Sequence, residues 1–192
     1  MRSLPQAPPL RCPVPDDAAT LARPGIAGRS VSFTAARTLS AAGREIVAGV
    51  LVAAVPDADR YVTGACVGGD AFIGRWLHAN RPGADHMVVV PSDRSRVDYW
   101  WDDAGGPAVT VVEMPAGTTY ADRNARLVAE GGAVFAFPAY PEDDPRSARS
   151  GTWQTVRFSR AAGNFSQWQC VTPPYRGMVE RPLSACWFAG RR

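Results

Sequence analysis

The stretch Arg60-Tyr-Val-Thr-Gly-Ala-Cys-Val-Gly-Gly-Asp70 runs from apolar residues into glycines and then into a helix-like segment, Ala71 to Ala79. A strand that turns sharply into a helix presents unpaired backbone N–H groups and the positive end of the helix dipole, which together favour a phosphate or another anion. Gly64 can take the positive φ needed to leave the strand, while Gly68 and Gly69, lacking Cβ atoms, let a ligand approach the main chain. Asp70 either caps the helix or turns outward to a ribose hydroxyl. The plain alternative is a tight βα turn with a capping Asp, since the spacing fits neither a Walker A loop nor a GxGxxG fingerprint. A thiol in such a loop, Cys66, is open to a lowered pKa, with packing beneath the loop as the competing reading.

Three further turns carry residues of the same kind. Thr34 and Arg37 follow the alternating run Ser30-Val-Ser-Phe-Thr34, and Arg37 suits a bidentate phosphate contact or a surface ion pair. Arg123 and Asn124 stand near a helix start, where an arginine opposes the dipole and calls for a nearby anion, Asp122 or a ligand. Ser150-Gly-Thr152 offers hydroxyls and a Cβ-free backbone directly before a helix, as an anion site or as a simple N-cap. If the chain is an enzyme, the acids within reach are Asp70, Asp122 and Glu113, the last on a strand end and open to pairing with an arginine.

The elements that would position these turns alternate. Ser30–Thr34, Tyr61–Thr63, Met87–Pro91, Val109–Met114, Ala133–Phe137 and Gln167–Val171 read as strands, several of them continuous apolar runs suited to a sheet covered on both faces. Helices are expected over Ala41–Val55 after the cap Ser40, over Ala71–Ala79, Tyr120–Glu130 and Gln154–Ala162. This order predicts a single α/β domain over residues 30–172, a Rossmann-like doubly wound, mostly parallel sheet with helices on both faces. Ligands gather at the strand carboxyl ends of such sheets. Residues 1–29, with six prolines between Pro5 and Pro24, read as an irregular arm and 173–192 as an irregular tail. The stretch 92–107, with Tyr99, Trp100 and Trp101, is either a lid over a ligand or an aromatic plug at the core edge.

Composition narrows the classes. At 192 residues and 46% hydrophobic, the chain holds material for one core. A formal charge of +3 with scattered basic residues disfavours a nucleic-acid partner. The four cysteines form no CxxC pair, which predicts no metal site and a reduced, cytoplasmic chain. No signal-peptide core and no membrane-length apolar run is visible.

Taken in order, Phe33-Thr-Ala-Ala-Arg37, Val62-Thr-Gly-Ala-Cys-Val-Gly-Gly-Asp-Ala71, Ala121-Asp-Arg-Asn-Ala125 and Ser150-Gly-Thr-Trp-Gln-Thr155 resemble the SLOG superfamily of Rossmann-like nucleotide-binding domains, which includes LOG proteins and the DNA-processing protein A domain. The resemblance covers about residues 30–170. It implies a nucleotide or nucleotide-derived ligand held by Thr34, Arg37, Gly64, Gly68, Gly69, Asp70, Arg123, Asn124, Ser150, Gly151 and Thr152, with no further cofactor and with homo-oligomerisation open. LOG phosphoribohydrolases use a Pro-Gly-Gly-x-Gly-Thr-x-x-Glu motif to cleave an N-glycosidic bond; here Thr155 replaces the glutamate and Ala35 replaces a glycine of the first motif. A threonine supplies no carboxylate at neutral pH. The expectation is therefore a module that senses or sequesters its ligand. An N-glycosidic hydrolase or transferase with a substitute acid is the alternative, and a single-stranded DNA-handling protein the second.

Overall fold

The computed structural model describes residues 30–53, 55, 57–102 and 108–172. The expected arm 1–29 and tail 173–192 lie outside the described residues. The chain forms β1 (Ser30–Ala35), α1 (Ala41–Ala53), β2 (Arg60–Gly64), α2 (Gly69–Asn80), β3 (Asp85–Val90), β4 (Val109–Glu113), α3 (Tyr120–Glu130), β5 (Ala133–Phe137), α4 (Gly151–Ala161) and β6 (Phe165–Trp168), with a short 3-10 helix at Pro145–Arg149. The strands make one six-stranded sheet in the order β4-β3-β2-β1-β5-β6, and every neighbouring pair is parallel. This is the Rossmann-like α/β architecture expected from the alternation of elements.

The pleat of β1 explains the two layers. Val31 and Phe33 point to one face and pack with Leu51 of α1, Ile73 and Leu77 of α2, and Phe135 and Phe137 of β5. Ser32 points to the other, where its hydroxyl donates to the Leu127 carbonyl of α3 at 2.6 Å. On that second face Val62, Met87 and Val89 meet Leu127, and Ala136 meets Trp153, Val156 and Trp168. The order runs outward from β1 through β2, β3 and β4. The chain then crosses back through α3 to β5 on the far side of β1, so the direction of winding reverses between β1 and β5. Ligands of open α/β sheets sit beside such a reversal.

Two helices begin earlier than their apolar periodicity suggests. Gly68 holds a positive φ of 91°, which swings the chain so that Gly69 already opens α2, ahead of Ala71. Ser150 accepts from the Trp153 N–H at 3.3 Å, so α4 starts at Gly151 and not at Gln154. The last strand falls at Phe165–Trp168, short of the expected Gln167–Val171, and α1 ends at Ala53. Trp100 is 3% exposed and lies against Gly74, where any Cβ would come within about 2.5 Å of the indole. It is a plug at the core edge, packed with Ala71 of α2 and with Val88 and Val90 of β3. Among the described residues no helix is long and apolar enough to cross a membrane.

Candidate functional site

The four turns singled out in the sequence meet at the carboxyl ends of β1, β2 and β5, and their hydrogen bonds show how. The Ala35 N–H donates to Asp70 Oδ1 at 2.9 Å and the Gly69 N–H to the Ala36 carbonyl at 3.1 Å, tying the end of β1 to the start of α2. From α3, Arg123 Nη2 donates to Asp70 Oδ2 at 3.2 Å and to Cys66 Sγ at 2.8 Å. Its neighbour Asn124 donates through Nδ2 to the Gly151 carbonyl at 3.2 Å and to Gln154 Oε1 at 3.0 Å. Successive helical residues diverge by about 100°. Arg123 and Asn124 therefore reach opposite ways along the rim, one to the glycine loop and one to α4.

The glycine loop differs in detail from its sequence reading. Gly64 does not take a positive φ. It is needed for space, because a Cβ there would overlap Asp70 Oδ2 and Arg123 Nη1. Gly68 and Gly69 are approached by the chain's own β1 turn: a Cβ on Gly68 would overlap the Arg37 carbonyl, and one on Gly69 would overlap the Ala35 Cβ. The loop is filled from within.

Asp70 neither caps α2 nor faces solvent. Both it and Arg123 are 4% exposed, and the pair is an interior ion pair. Burial pushes the Asp70 carboxyl above the usual carboxylate range, outweighing the downward pull of Arg123 and of the Ala35 N–H. Burial alone would lower Arg123, but Asp70 and Cys66 more than offset it and hold the guanidinium firmly charged. The Cys66 thiol is raised, not lowered. Desolvation and the Asp70 charge exceed the help of Arg123 and leave it a packed, poorly nucleophilic sulfur. Arg123 Nε and Nη1 are buried without an acceptor among the described residues.

The α4 side is arranged otherwise. Ser150 is the N-cap, and the N–H groups of Gly151 and Thr152 have no acceptor among the described residues. The hydroxyls of Thr34 and Thr152, each 5% exposed or less, make no hydrogen bond with described residues. The first turn of α4 carries no acidic residue, and Arg149 directly precedes the cap. Arg37 is exposed at the tip of the β1 turn and has no ion-pair partner among the described residues.

The other two acids considered for catalysis are engaged by groups of the chain itself. Glu113 ends the edge strand β4, two strands beyond β2, and pairs with Arg94 at 3.1 Å. Asp122 closes a capping box with Thr119, accepting from its backbone N–H at 2.7 Å, and so does not neutralise Arg123. That hydrogen bonding lowers the Asp122 carboxyl. Thr155, in the place of the LOG glutamate, is 1% exposed and donates to the Gly151 carbonyl at 3.0 Å. Two contributors escaped the sequence reading, Gln154 as a second acceptor for Asn124 and the Ala36 carbonyl that takes the Gly69 N–H; both depend on long-range placement that no local pattern encodes. Set against known proteins, the chain matches no family model, no curated protein and no solved structure.

Proposed function

We propose that the rim between β1, β5 and the start of α4 holds a nucleotide or nucleotide-derived phosphate ligand, and that the protein senses or sequesters it. The observation that carries this reading is the set of uncommitted donors on that rim. The first two N–H groups of α4 lack acceptors among the described residues, and they stand beside the reversal of the sheet. A phosphate would meet the positive end of the helix with both amides and both threonine hydroxyls at hand. The ordered motifs that resemble the SLOG superfamily point to the same ligand class. Holding is favoured over cleaving. Of the acids considered, Asp70 is tied to Arg123 and Ala35, Asp122 caps its helix and Glu113 sits on the sheet edge.

Native mass spectrometry of freshly purified protein, followed by calorimetry with a panel of nucleoside monophosphates and dinucleotides, tests the reading. A carboxylate at the first position of α4 suits the helix dipole but repels an anion. Gly151→Glu is therefore expected to fold normally and to weaken binding by about tenfold to a hundredfold, the equivalent of one charge-assisted hydrogen bond. Equal affinity in Gly151→Glu removes α4 from the site. Free base released from a bound nucleotide would establish the hydrolase alternative in its place.

A further inference from the structure

The chain contains two histidines, and the fold takes both out of water and sets them against each other. His78, in the last turn of α2, is 7% exposed and His86, near the start of β3, 3%. Their ring centroids lie 5.2 Å apart at 70°. Trp100 meets His78 edge-on at 5.8 Å, and Tyr61 of β2 lies against His86 at 5.9 Å. One aromatic contact thus joins α2, β2, β3 and the 92–102 crossover.

His86 Nε2 is 3.0 Å from the Arg81 carbonyl oxygen. A carbonyl only accepts, so Nε2 carries the proton of the neutral ring and Nδ1 is the atom that a second proton must join. The surroundings give that proton little help. His78 faces it from α2. Arg81, in the turn, directs its guanidinium toward Asp57 at 3.6 Å. Asp85, beside it on β3, is 74% exposed and shared with Arg60 of β2 at 3.7 Å. Asp98 of the crossover is held by both terminal nitrogens of Arg75. Among the described residues no carboxylate comes within salt-bridge distance of His86. Burial, with His78 adding to it, pushes His86 below the ordinary imidazole range against the opposing pull of the Arg81 carbonyl and Asp85.

We propose that the His78–His86 contact is an acid-released latch: a proton on His86 Nδ1 opens the seam between the carboxyl half of α2 and β3 while the α4 side of the sheet stays closed. The sign follows from linkage. The closed form binds fewer protons than the open form, whose reference value is 6.5. Its stability is complete above that pH and is lost as pH falls toward the closed-state value. Asp70, raised in the folded chain, acts with the opposite sign, favouring the closed form as pH falls. A loss of protection on acidification therefore cannot come from Asp70.

Amide hydrogen exchange of the whole chain between about pH 7.5 and about pH 5.5, the span in which imidazoles titrate, tests the latch. After correction for intrinsic exchange, protection over Trp76–Asn80 and His86–Val89 is expected to fall by up to about tenfold per pH unit, with α4 unchanged as the internal control. His86→Phe, which keeps a ring and removes the proton site, is expected to flatten that dependence. Equal protection at both ends of the range, a loss shared equally by α4, or a dependence that survives in His86→Phe overturns the proposal. Should His86→Phe fail to fold, the imidazole resonances of the unaltered protein decide. A His86 titration midpoint below 6.5 supports the latch, and one at or above 6.5 overturns it.

Discussion

The starts of α2 and α4 look alike in sequence, each a small-residue turn feeding a helix at a strand's carboxyl end, yet the fold treats them in opposite ways. At α2 the protein is its own ligand. The Arg37 carbonyl fills the space over Gly68, the Ala36 carbonyl accepts from Gly69, and an interior aspartate takes the Ala35 N–H and the Arg123 guanidinium. At α4 the cap is local, and the amides of Gly151 and Thr152 are left without an acceptor among the described residues. A glycine-rich turn is thus evidence of close backbone approach, and only the tertiary structure tells whether the approaching group belongs to the chain or to something it binds. The first arrangement builds the rim; the second is where the rim faces outward.

That contrast is broken most severely at Arg123. Removing one member of an interior ion pair strands the other, so Arg123→Met is expected to cost about 3–5 kcal/mol in urea unfolding, whereas Arg123→Met with Asp70→Leu should recover much of it. A small loss in the single variant would mean that the pair is not the clasp of the glycine loop. Gly68→Ala comes next. It places a Cβ into the Arg37 carbonyl at a φ that L-residues rarely adopt, and about 3 kcal/mol is expected from strain and overlap together. A tolerated Gly68→Ala would show that the β1 turn can leave the loop, and the α2 side would then regain its claim to an external ligand.

These two expectations also mark what was readable in the sequence. Strand and helix order was legible because each element carries its own period: the β5 and α3 boundaries agree residue for residue with the pattern of Ala133–Phe137 and Tyr120–Glu130. The meeting of four turns was legible too, since parallel α/β connections leave their loops on one rim. The partners within the rim were not. Arg123 reads in sequence as a phosphate contact, and nothing local reveals that it lies beneath the surface with Asp70 and Cys66, 53 and 57 residues away. Gly64 reads as a conformational glycine and proves a spatial one. Asp122 could have been read correctly: Thr119 with an acid three residues later is the capping-box pattern.

The gentlest test acts on the open side, at Gly151. Its backbone is not in the left-handed region, it is exposed, and a Cβ would meet only Asn124 Nδ2 at 3.5 Å, an ordinary contact. Gly151→Ala therefore strains nothing in the folded chain and restricts the unfolded one, so thermal or urea unfolding should show a gain of about 0.4–1 kcal/mol. The same methyl would stand over the amides left free at the helix start. If an anion approaches there, Gly151→Ala gains stability and loses affinity in one step, a split that Gly68→Ala cannot produce because its loss of fold precedes any loss of binding. Gains in stability with affinity unchanged would mean that the free amides of α4 are simply solvated, and that the two helix starts differ in packing alone.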